Sequence, residues 1–309
     1  MHVVVTGNTG FIGRQLCNEL LKKGHTITAL SRNQGNAEPT LQETSMKNIE
    51  MINCDILQKD SLQENFKNMG TVDCVFHLAG QTFKKDLTSP YTYFQSNFIS
   101  TLNMLECCRN FGIKKFVFSS SVAVYGLGVN QFVPKYLPVD ENHPVRPYDF
   151  YDSSKYHAEE LCKFYSDRFG INSAILRYSR VYGPTMGKGL VVQAIKKALS
   201  NEPIEVMGDI TTDFVFVNDV VRANLASVEK KLPNSEVFNI GSGEEKSLHW
   251  VCSTIVDMCQ SSSKIIFQQE PKSKFSFDIS KARNLLDLEP TATKEGLIEC
   301  VNYIKNSAK

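Results

Sequence analysis

The stretch "HVVVTGNTGFIGRQLCNELLKKG", residues 2–24, decides the fold of this chain. It starts with a short β-branched run, passes through three glycines spaced GxxGxxG, and continues into apolar residues at helical spacing. A strand, a glycine-rich turn and a helix in this order are typical of a dinucleotide-binding unit. Gly7 permits the sharp turn, Gly10 lets a pyrophosphate approach the backbone, and Gly13 lets the helix pack close to the strand. A tight turn that serves packing alone is the alternative interpretation.

Strand-like and helix-like patterns alternate over the first 180 residues. The strand-like runs are nearly unbroken in their apolar character, which indicates that both of their faces are buried. We therefore predict a Rossmann-type α/β fold, with a doubly wound parallel sheet covered by helices on both faces. The predicted strands are 2–6, 25–30, 49–55, 73–80, 114–121 and 172–179, and the predicted helices are 11–24, 60–68, 90–111 and 151–169.

The alternation is lost after residue 180, which predicts a second, smaller α/β part at the C-terminal end. We expect residues 1–180 to form the NAD(P)-binding Rossmann domain, with a segment of about 213–238 returning to it. Residues 181–212 and 239–309 are then expected to form a substrate-binding domain.

The composition excludes several classes of protein. The chain has 309 residues, is 42% hydrophobic and carries a formal net charge of +1, so no strong field attracts nucleic acid or anionic lipid. Its longest apolar runs are too short to span a bilayer, and because a strand-like run opens the sequence we expect no signal peptide. The nine cysteines form no CxxC pair, so we expect buried thiols, no metal site and a cytoplasmic location.

The end of the second predicted strand reads "TALSRN", residues 28–33. Chains that bind NAD usually place an acid here, which hydrogen-bonds the adenosine ribose. Ser31 instead removes a repulsion against a ribose 2′-phosphate, and Arg32 could pair with that phosphate through bidentate hydrogen bonds. We therefore expect NADP to be preferred, with NAD possible. A solvated Arg32 beside a cofactor held by other contacts is the alternative.

The segment "YDSSK" places Tyr151 and Lys155 four residues apart, on one face of a predicted helix. A phenol titrates near ~10, but a neighbouring ammonium and a positively charged nicotinamide would favour the phenolate. Tyr151 could then move a proton to or from a hydroxyl or carbonyl while hydride moves on the cofactor. YxxxK alone also occurs by chance as a surface tyrosine and a surface lysine.

Two strand ends strengthen this interpretation. "FVFSSSVAVYG" should place Ser121 at the carboxyl edge of the sheet, where open α/β sheets bind ligands. A serine hydroxyl there can hydrogen-bond the reacting oxygen. "HLAG", residues 77–80, ends the preceding strand and can contact the cofactor.

Together these motifs resemble the extended short-chain dehydrogenase/reductase family, in the nucleotide-sugar epimerase/dehydratase branch that contains UDP-galactose 4-epimerase. The resemblance runs through nearly the whole chain. It is carried by "VTGNTGFIG", Asp55-Ile56, "HLAG", "SNFISTLNML" around Asn97, "SSSVAVYG", "YDSSK", "LRYSRVYGP", "DFVFVNDVVRA", "FNIGSGE" and "DISKARNLL".

The resemblance implies a role for each matching residue. Tyr151 matches the family's acid/base, Lys155 the residue that binds the nicotinamide ribose, and Ser121 the residue that hydrogen-bonds the substrate oxygen. The implied cofactor-binding residues are Gly7, Thr9, Gly10, Phe11, Ile12, Gly13, Ser31, Arg32, Asp55, Ile56, Leu78, Ala79, Gly80, Asn97, Ser119, Tyr151, Lys155, Tyr178 and Val181. The implied substrate-binding residues are Thr82, Ser121, Val122, Arg180 and Lys272.

Departures from the family pattern narrow the expected activity. Sugar-nucleotide 4,6-dehydratases carry Asp-Glu directly after the residue that matches Ser121, whereas this chain has Val122-Ala123, which cannot exchange protons. Dehydration is therefore disfavoured. Arg180 stands where the branch often has Asn, and could replace part of the cationic clamp on the substrate diphosphate or serve as a structural ion-pair partner.

We therefore expect NAD(P)-dependent hydride transfer at C4 of a nucleotide-linked sugar, by an epimerase or a 4-keto-sugar reductase. A reductase of a non-sugar carbonyl and a non-catalytic dinucleotide-binding sensor are the alternatives. The expected partner is a small nucleotide-sugar, with neither nucleic acid nor membrane. A homodimer through helices 90–111 and 151–169 is possible by analogy.

Overall fold

A computed structural model of the chain describes residues 1–32, 49–82, 89–126, 133–206, 208, 210–268 and 274–307. The chain forms two compact units. The first consists of Met1–Gly126, Val145–Arg177 and Val221–Phe238, and the second of Leu127–Pro144, Tyr178–Val220 and Asn239–Lys309. The predicted returning segment 213–238 is thus divided at Val220, and 127–144 joins the second unit. Their assignment to cofactor and substrate stays a prediction.

The first unit alternates strands and helices as the apolar patterns predict. β1 is nearly continuous in its burial, and α1 buries the apolar residues of one face. The elements are β1 His2–Thr6, α1 Phe11–Lys22, β2 Thr26–Ser31, β3 Ile49–Asn53, α2 Lys59–Asn68, β4 Cys74–His77, α3 Pro90–Tyr93, a π-helix Phe94–Ile99, α4 Ser100–Asn110, β5 Lys115–Ser121, a 3₁₀ turn Val122–Tyr125, α5 Phe150–Phe169 and β6 Asn172–Tyr178.

The strands form a seven-stranded sheet in the order β11-β6-β5-β4-β1-β2-β3, in which β11 is Glu236–Ile240. The ladders that join β3, β2, β1, β4 and β5 are parallel. The predicted Rossmann-type fold is confirmed. Because β1 lies between β2 and β4, the order reverses at this point, which is where such sheets bind ligands at their carboxyl ends.

The predicted single helix 90–111 is wrong in detail, because a π-helix at Phe94–Ile99 separates α3 from α4. The wider turn lies around Asn97, which is buried and hydrogen-bonded to residues outside the helix. Insertions of this kind are frequent at functional sites. The apolar spacing of the sequence does not distinguish this turn from an ordinary helical one.

Helices α2, α4 and α5 cover one face of the sheet and share a core with it. Leu62 and Phe66 of α2, Met104 of α4 and Ala158 of α5 pack in one cluster with Phe116 of β5. All five side chains are essentially inaccessible to solvent. This core fixes the helices that carry the candidate site.

The second unit is built around its own apolar core, to which α6, α8 and α10 contribute. Its short strands form three pairs, β10 with β7 and β13 with β8 in parallel, and β12 with β9 antiparallel. The elements are β7 Arg180–Tyr182, α6 Leu190–Leu199, β8 Ile204–Val206, β9 Thr211–Thr212, β10 Phe214–Phe216, β12 Lys246–Ser247, α8 Leu248–Cys259, β13 Ile265–Phe267, α9 Ser280–Leu286 and α10 Thr293–Ser307. α7 Val217–Glu229 begins in this unit and continues, from Val221, in the first.

Within the described ranges, no helix combines the length and the apolar character needed to cross a membrane.

Candidate functional site

The glycine loop between β1 and α1 turns around the carbonyl oxygen of Gly7. Gly7 has φ +75°, and a Cβ there would lie 2.7 Å from the backbone nitrogen of Ala79. The N–H of Gly10 donates to the Gly7 oxygen over 2.9 Å. A Cβ on Gly13 would lie 2.1 Å from the same oxygen. The backbone conformation and the two close approaches explain why glycine occupies these positions.

The N-terminus of α1 fits the phosphates of a dinucleotide. Gly10 is the N-cap of α1 and is exposed. Because glycine has no side chain, no capping group occupies the N–H groups of the first turn. The first turn contains no acidic residue that would repel an anion. A Cβ on Gly10 would point towards the Gly7 oxygen, 3.1 Å away, and would narrow this cradle. The predicted cofactor residues Thr9, Phe11 and Ile12, next to Gly10 in sequence, are partly exposed. Free N–H groups and the helix dipole favour an anion at such a site.

The segment after β4 lies beside the glycine loop. The N–H groups of Leu78 and Ala79 both donate to Thr6, over 3.2 Å in each case. His77 is buried and bonds to the Thr6 hydroxyl over 2.8 Å. Burial, and then the charge of Lys155, lower the pKa of His77 to about 3, so its imidazole is neutral at physiological pH.

Asn97 connects this segment to α5. Its Oδ1 accepts from the N–H of Gln81 over 2.8 Å, and its Nδ2 donates to the Gln81 carbonyl and to the Ser154 hydroxyl, over 3.1 and 2.9 Å. A Cβ on Gly80 would lie 2.6 Å from Asn97 Oδ1 and 3.3 Å from Lys155 Nζ. The predicted cofactor residues Gly80, Asn97 and Lys155 therefore lie together.

Ser121, Tyr151 and Lys155 are brought together by the end of β5 and the start of α5. Asp149 caps α5 by accepting from the N–H of Asp152 over 2.9 Å, which places Tyr151 in the first turn. Tyr151 is hydrogen-bonded to Ser121. Lys155 is buried and donates from Nζ to the Ser119 carbonyl over 2.8 Å.

The two titratable groups of this site are strongly desolvated. Burial raises the pKa of Tyr151 to about 12, while its hydrogen bond to Ser121 opposes the rise. Burial lowers the pKa of Lys155 to about 8, while the charge of Glu159 opposes the fall. Burial therefore keeps the phenol protonated in the protein alone. The expected phenolate, which also needs a positively charged nicotinamide beside it, stays a prediction. Tyr151 is a proton donor at neutral pH.

The residues expected at the adenosine end lie at the carboxyl ends of β2 and β3. Ser31 is the last residue of β2 and pairs with Asn53, so no acid stands opposite it. Arg32 is exposed and makes no ion pair with the described residues. The carboxylate of Asp55 accepts from the N–H of Leu57 over 3.1 Å, and the partly buried Ile56 packs on the core.

Several predicted residues belong to the second unit. Tyr178 is buried at the end of β6, and Val181 is half-buried in β7. Arg180 is exposed to solvent and makes no ion pair with any described residue. Its accessibility and its lack of a partner disfavour the structural ion-pair alternative.

The remaining substrate candidates are less constrained. Thr82 is exposed, Val122 is half-buried beside Ser121, and Lys272 lies outside the described residues. Among the described residues, no cluster of His, Cys, Asp and Glu has the arrangement of a metal site.

Sequence reasoning missed two buried charges behind this site, Glu159 and Arg177. They form an ion pair, with 2.6 Å between Arg177 Nη2 and Glu159 Oε2. Two signals were present in the sequence. Glu159 follows Lys155 by one helical turn, and Arg177 interrupts the apolar strand "NSAILRYS".

Comparisons with known proteins give a consistent picture. The model of the NAD-dependent epimerase/dehydratase family matches residues 3–241. A putative UDP-glucose 4-epimerase of Methanocaldococcus jannaschii is 35% identical over 99% of both chains. A UDP-N-acetyl-alpha-D-glucosaminuronate decarboxylase of Bacillus cytotoxicus is 31% identical over 98% of this chain and 97% of its own length.

Two solved structures share the fold over the whole length. The UDP-glucose 4-epimerase of Thermotoga maritima, with UDP-glucose bound, has a TM-score of 0.88 and 28% identity, with 100% of both chains covered. The UDP-glucuronic acid 4-epimerase of Bacillus cereus, in complex with UDP-glucuronic acid and NAD, has a TM-score of 0.83 and 31% identity. It covers 99% of this chain and 100% of its own.

Asp152, next to Tyr151, gives a prediction for stability against pH. Burial and the neighbouring Asp149 raise its pKa from 3.8 to about 7. The folded state therefore holds this proton more tightly than the unfolded state, and stability falls as pH rises from about 4 through 7.

Asp152→Asn should melt at a higher temperature than wild type at pH 8, and the difference should shrink at pH 5. Differential scanning calorimetry measures it. The exposed Asp257→Asn is the control, and a pH-independent difference would contradict the assignment.

Proposed function

The chain belongs to the NAD-dependent epimerase/dehydratase family, and on that premise we propose that it is a nucleotide-sugar 4-epimerase that moves hydride at C4 of the sugar. UDP is the proposed nucleotide, because UDP-sugars occur in the names of the relatives described above. The observation that carries the proposal is the junction of Ser121, Tyr151 and Lys155 at the carboxyl edge of a dinucleotide-binding sheet.

In this proposal the three side chains handle the proton and the sugar oxygen. Ser121 hydrogen-bonds the oxygen on C4, and Tyr151 moves a proton between its phenol oxygen and that sugar oxygen. The ammonium of Lys155, held by the Ser119 carbonyl next to Gly80, stabilises the phenolate when it forms. The dinucleotide, when bound, supplies the acceptor and donor of hydride.

The raised pKa of Tyr151 opposes its role as a proton acceptor in the protein alone. A phenol with a pKa of about 12 is a poor proton acceptor at neutral pH. Positive charge close to the phenol oxygen favours the phenolate. Lys155, one helical turn after Tyr151, supplies one positive charge. A positively charged nicotinamide would supply a second. We therefore propose that Tyr151 accepts a proton only when the dinucleotide is bound in its oxidised form.

The residues after Ser121 argue against dehydration. Val122 and Ala123 form the start of a 3₁₀ turn, and the N–H of Ala123 donates to the Ser121 hydroxyl over 3.1 Å. Neither side chain can donate or accept a proton, so this turn offers no second acid or base for loss of water.

A 4-keto-sugar reductase is the second candidate, and Ser31 with Arg32 favours it. We propose that the chain accepts NAD and prefers NADP, because Asn53 rather than an acid stands opposite Ser31 in the sheet, and the exposed Arg32 is available to a 2′-phosphate. The complex of the Bacillus cereus relative contains NAD, so this preference rests on these two residues alone. An epimerase regenerates its dinucleotide in each turnover, so either cofactor would serve.

Substrate assays separate the two candidates. Purified protein is incubated with UDP-glucose or UDP-glucuronic acid, and the C4 epimer is followed by proton NMR. An epimerase forms the epimer without net change in nicotinamide absorbance. A reductase instead consumes NADPH when a 4-keto sugar nucleotide is added. Thermal unfolding with UDP-, GDP-, dTDP- and CDP-sugars identifies the nucleotide, because a ligand of the folded state raises its stability.

Tyr151→Phe should lower kcat by about 1,000-fold, because general acid–base catalysis typically contributes 10²–10⁴-fold. Affinity for NADH, measured by its fluorescence, should stay within about twofold. Tyr303→Phe, at an exposed position of α10, is the matched control. A Tyr151→Phe rate within a few-fold of wild type would remove the acid–base role.

Arg32→Ala should weaken NADPH binding about tenfold and leave NADH binding nearly unchanged, because one charged hydrogen-bonding partner of the 2′-phosphate is lost. Titration of nicotinamide fluorescence gives both dissociation constants. Lys22→Ala removes another exposed cation and is the control. Equal losses for the two dinucleotides would show that Arg32 does not contact the phosphate.

A cytoplasmic location is also proposed, because all nine cysteines are free and eight of them are buried. Free thiols persist in a reducing compartment.

We further propose a homodimer through α4 and α5. Apolar side chains remain exposed on and beside these helices, namely Ile99 at 37%, Phe111 at 39%, Phe164 at 52% and Phe169 at 38%. Phe164→Glu should shift the protein from dimer to monomer in sedimentation velocity, because it places a charge in the interface. Ile298→Glu, which places a charge at an exposed apolar position of α10 outside this interface, is the control and should remain a dimer. A wild-type monomer at micromolar concentration would exclude the dimer.

A further inference from the structure

The ion pair between Glu159 and Arg177 lies entirely inside the first unit. Glu159 is 0% exposed and Arg177 is 2% exposed. Nε of Arg177 donates to Oε1 and Oε2 of Glu159 over 3.0 and 3.2 Å, and Nη2 donates to Oε2 over 2.6 Å. Both carboxylate oxygens are therefore engaged by one guanidinium.

Two further side chains complete this buried cluster. The Ser120 hydroxyl donates to Glu159 Oε1, and Arg177 Nη1 donates to the Tyr125 hydroxyl over 2.8 Å. Ser120 lies between Ser119, whose carbonyl holds Lys155, and Ser121, which is hydrogen-bonded to Tyr151. The ion pair is thus anchored to the strand end that carries the proposed site.

Glu159 also lies one helical turn after Lys155, on the same face of α5. Its negative charge raises the pKa of Lys155 against the effect of burial. A carboxylate in this position would be a natural salt-bridge partner for Lys155. Lys155 instead donates to Ser119, and its Nζ lies near the Gly80 backbone. Arg177 already donates hydrogen bonds to both carboxylate oxygens of Glu159. We infer that this is why Lys155 bonds to Ser119 and not to Glu159.

Packing alone does not account for the pair. Removing two charges from water is costly, and apolar residues of similar volume are often equally stable or more stable at such positions. Because stability does not require this buried pair, its place beside the proposed acid–base site suggests that it serves the site.

We propose that Arg177 is a positioning residue, which binds the Glu159 carboxylate so that Lys155 stays directed at Ser119 and the nicotinamide side of the site. Glu159 in turn holds the β5 end through Ser120. Both residues are buried, so we assign them no direct contact with substrate or cofactor. This role rests on the proposed function of Lys155, although one of its two tests, the pH dependence of NADH affinity, does not require turnover.

The test compares Arg177→Met, Glu159→Gln and the double variant Glu159→Gln/Arg177→Met. Arg177→Met leaves the carboxylate uncompensated, so Lys155 turns to Glu159 and leaves Ser119. We expect kcat to fall about 100-fold, as for a misplaced catalytic group. KM for the nucleotide-sugar should change little. The double variant removes the competing carboxylate, and should recover at least about tenfold of the kcat lost in Arg177→Met.

Two conservative variants serve as controls. Tyr125→Phe removes the hydrogen bond from Arg177 but keeps the ion pair, and should retain wild-type kcat within about threefold. Arg177→Lys keeps a cation beside Glu159 with fewer hydrogen bonds, and should be intermediate. A residue needed only for packing would instead make the double variant as impaired as the singles or worse.

The pH dependence of NADH affinity reports the titration of the Lys155 ammonium and requires no substrate. The charged and titratable groups that act on Lys155 or are acted on by it are Glu159 and Cys162 on α5 and His77 on β4. Tyr151 lies one helical turn before Lys155 on α5. Arg177→Met should move the alkaline limb of this profile to higher pH, Glu159→Gln should move it to lower pH, and the double variant should lie close to wild type. Circular dichroism checks that each variant folds.

The outcomes are distinct. Reversal of both the kcat loss and the pH shift in the double variant supports the positioning role. A double variant without recovery, or pH limbs that coincide in all variants, overturns it. If Arg177→Met does not fold, Glu159→Gln against the double variant gives the same comparison, with the limb expected to rise towards wild type in the double. A wild-type protein inactive on every nucleotide-sugar refutes the proposed function, while the NADH profiles still decide the positioning role.

Discussion

The Gly7 carbonyl oxygen is the point on which the rest of the site depends. Gly10 hydrogen-bonds to it and Gly13 packs against it, so one oxygen fixes both the turn and the approach of α1 to β1. Gly7 itself contacts the backbone after β4 so closely that no side chain fits. The N-terminus of α1 is therefore held at the point where the strand order reverses, with its backbone N–H groups available to an anion.

Further contacts connect the glycine loop, along the edge of the sheet, to the proposed acid–base residues. The segment after β4 is bound to Thr6 on one side and, through Gln81, to Asn97 on the other. Asn97 reaches α5 at Ser154, directly before Lys155. The site is thus assembled by backbone and amide contacts between elements that are distant in sequence. Its geometry depends on the π-helix that turns Asn97 inward.

Desolvation sets the chemistry of the site once it is assembled. Burial alone makes Tyr151 a weaker acid and Lys155 a weaker base, which keeps the phenol protonated and brings the amine closer to titration at neutral pH. Charges near these groups then act with little screening, so Glu159, Asp152 and a bound nicotinamide each matter more than they would at the surface. The Arg177–Glu159 pair adds two buried charges next to this site.

The sequence by itself determined the order of strands and helices, the glycine turn and the candidate triad of Ser121, Tyr151 and Lys155. These features depend on local properties: apolar periodicity, the steric freedom of glycine and the one-turn spacing of a helix. The π-helix at Asn97, the protonated state of Tyr151, and the partners of Glu159 and Arg177 were decided only by the tertiary structure. The reason is that hydrogen bonding across elements and desolvation depend on which groups the fold brings together, and residue spacing along the chain does not encode that distance.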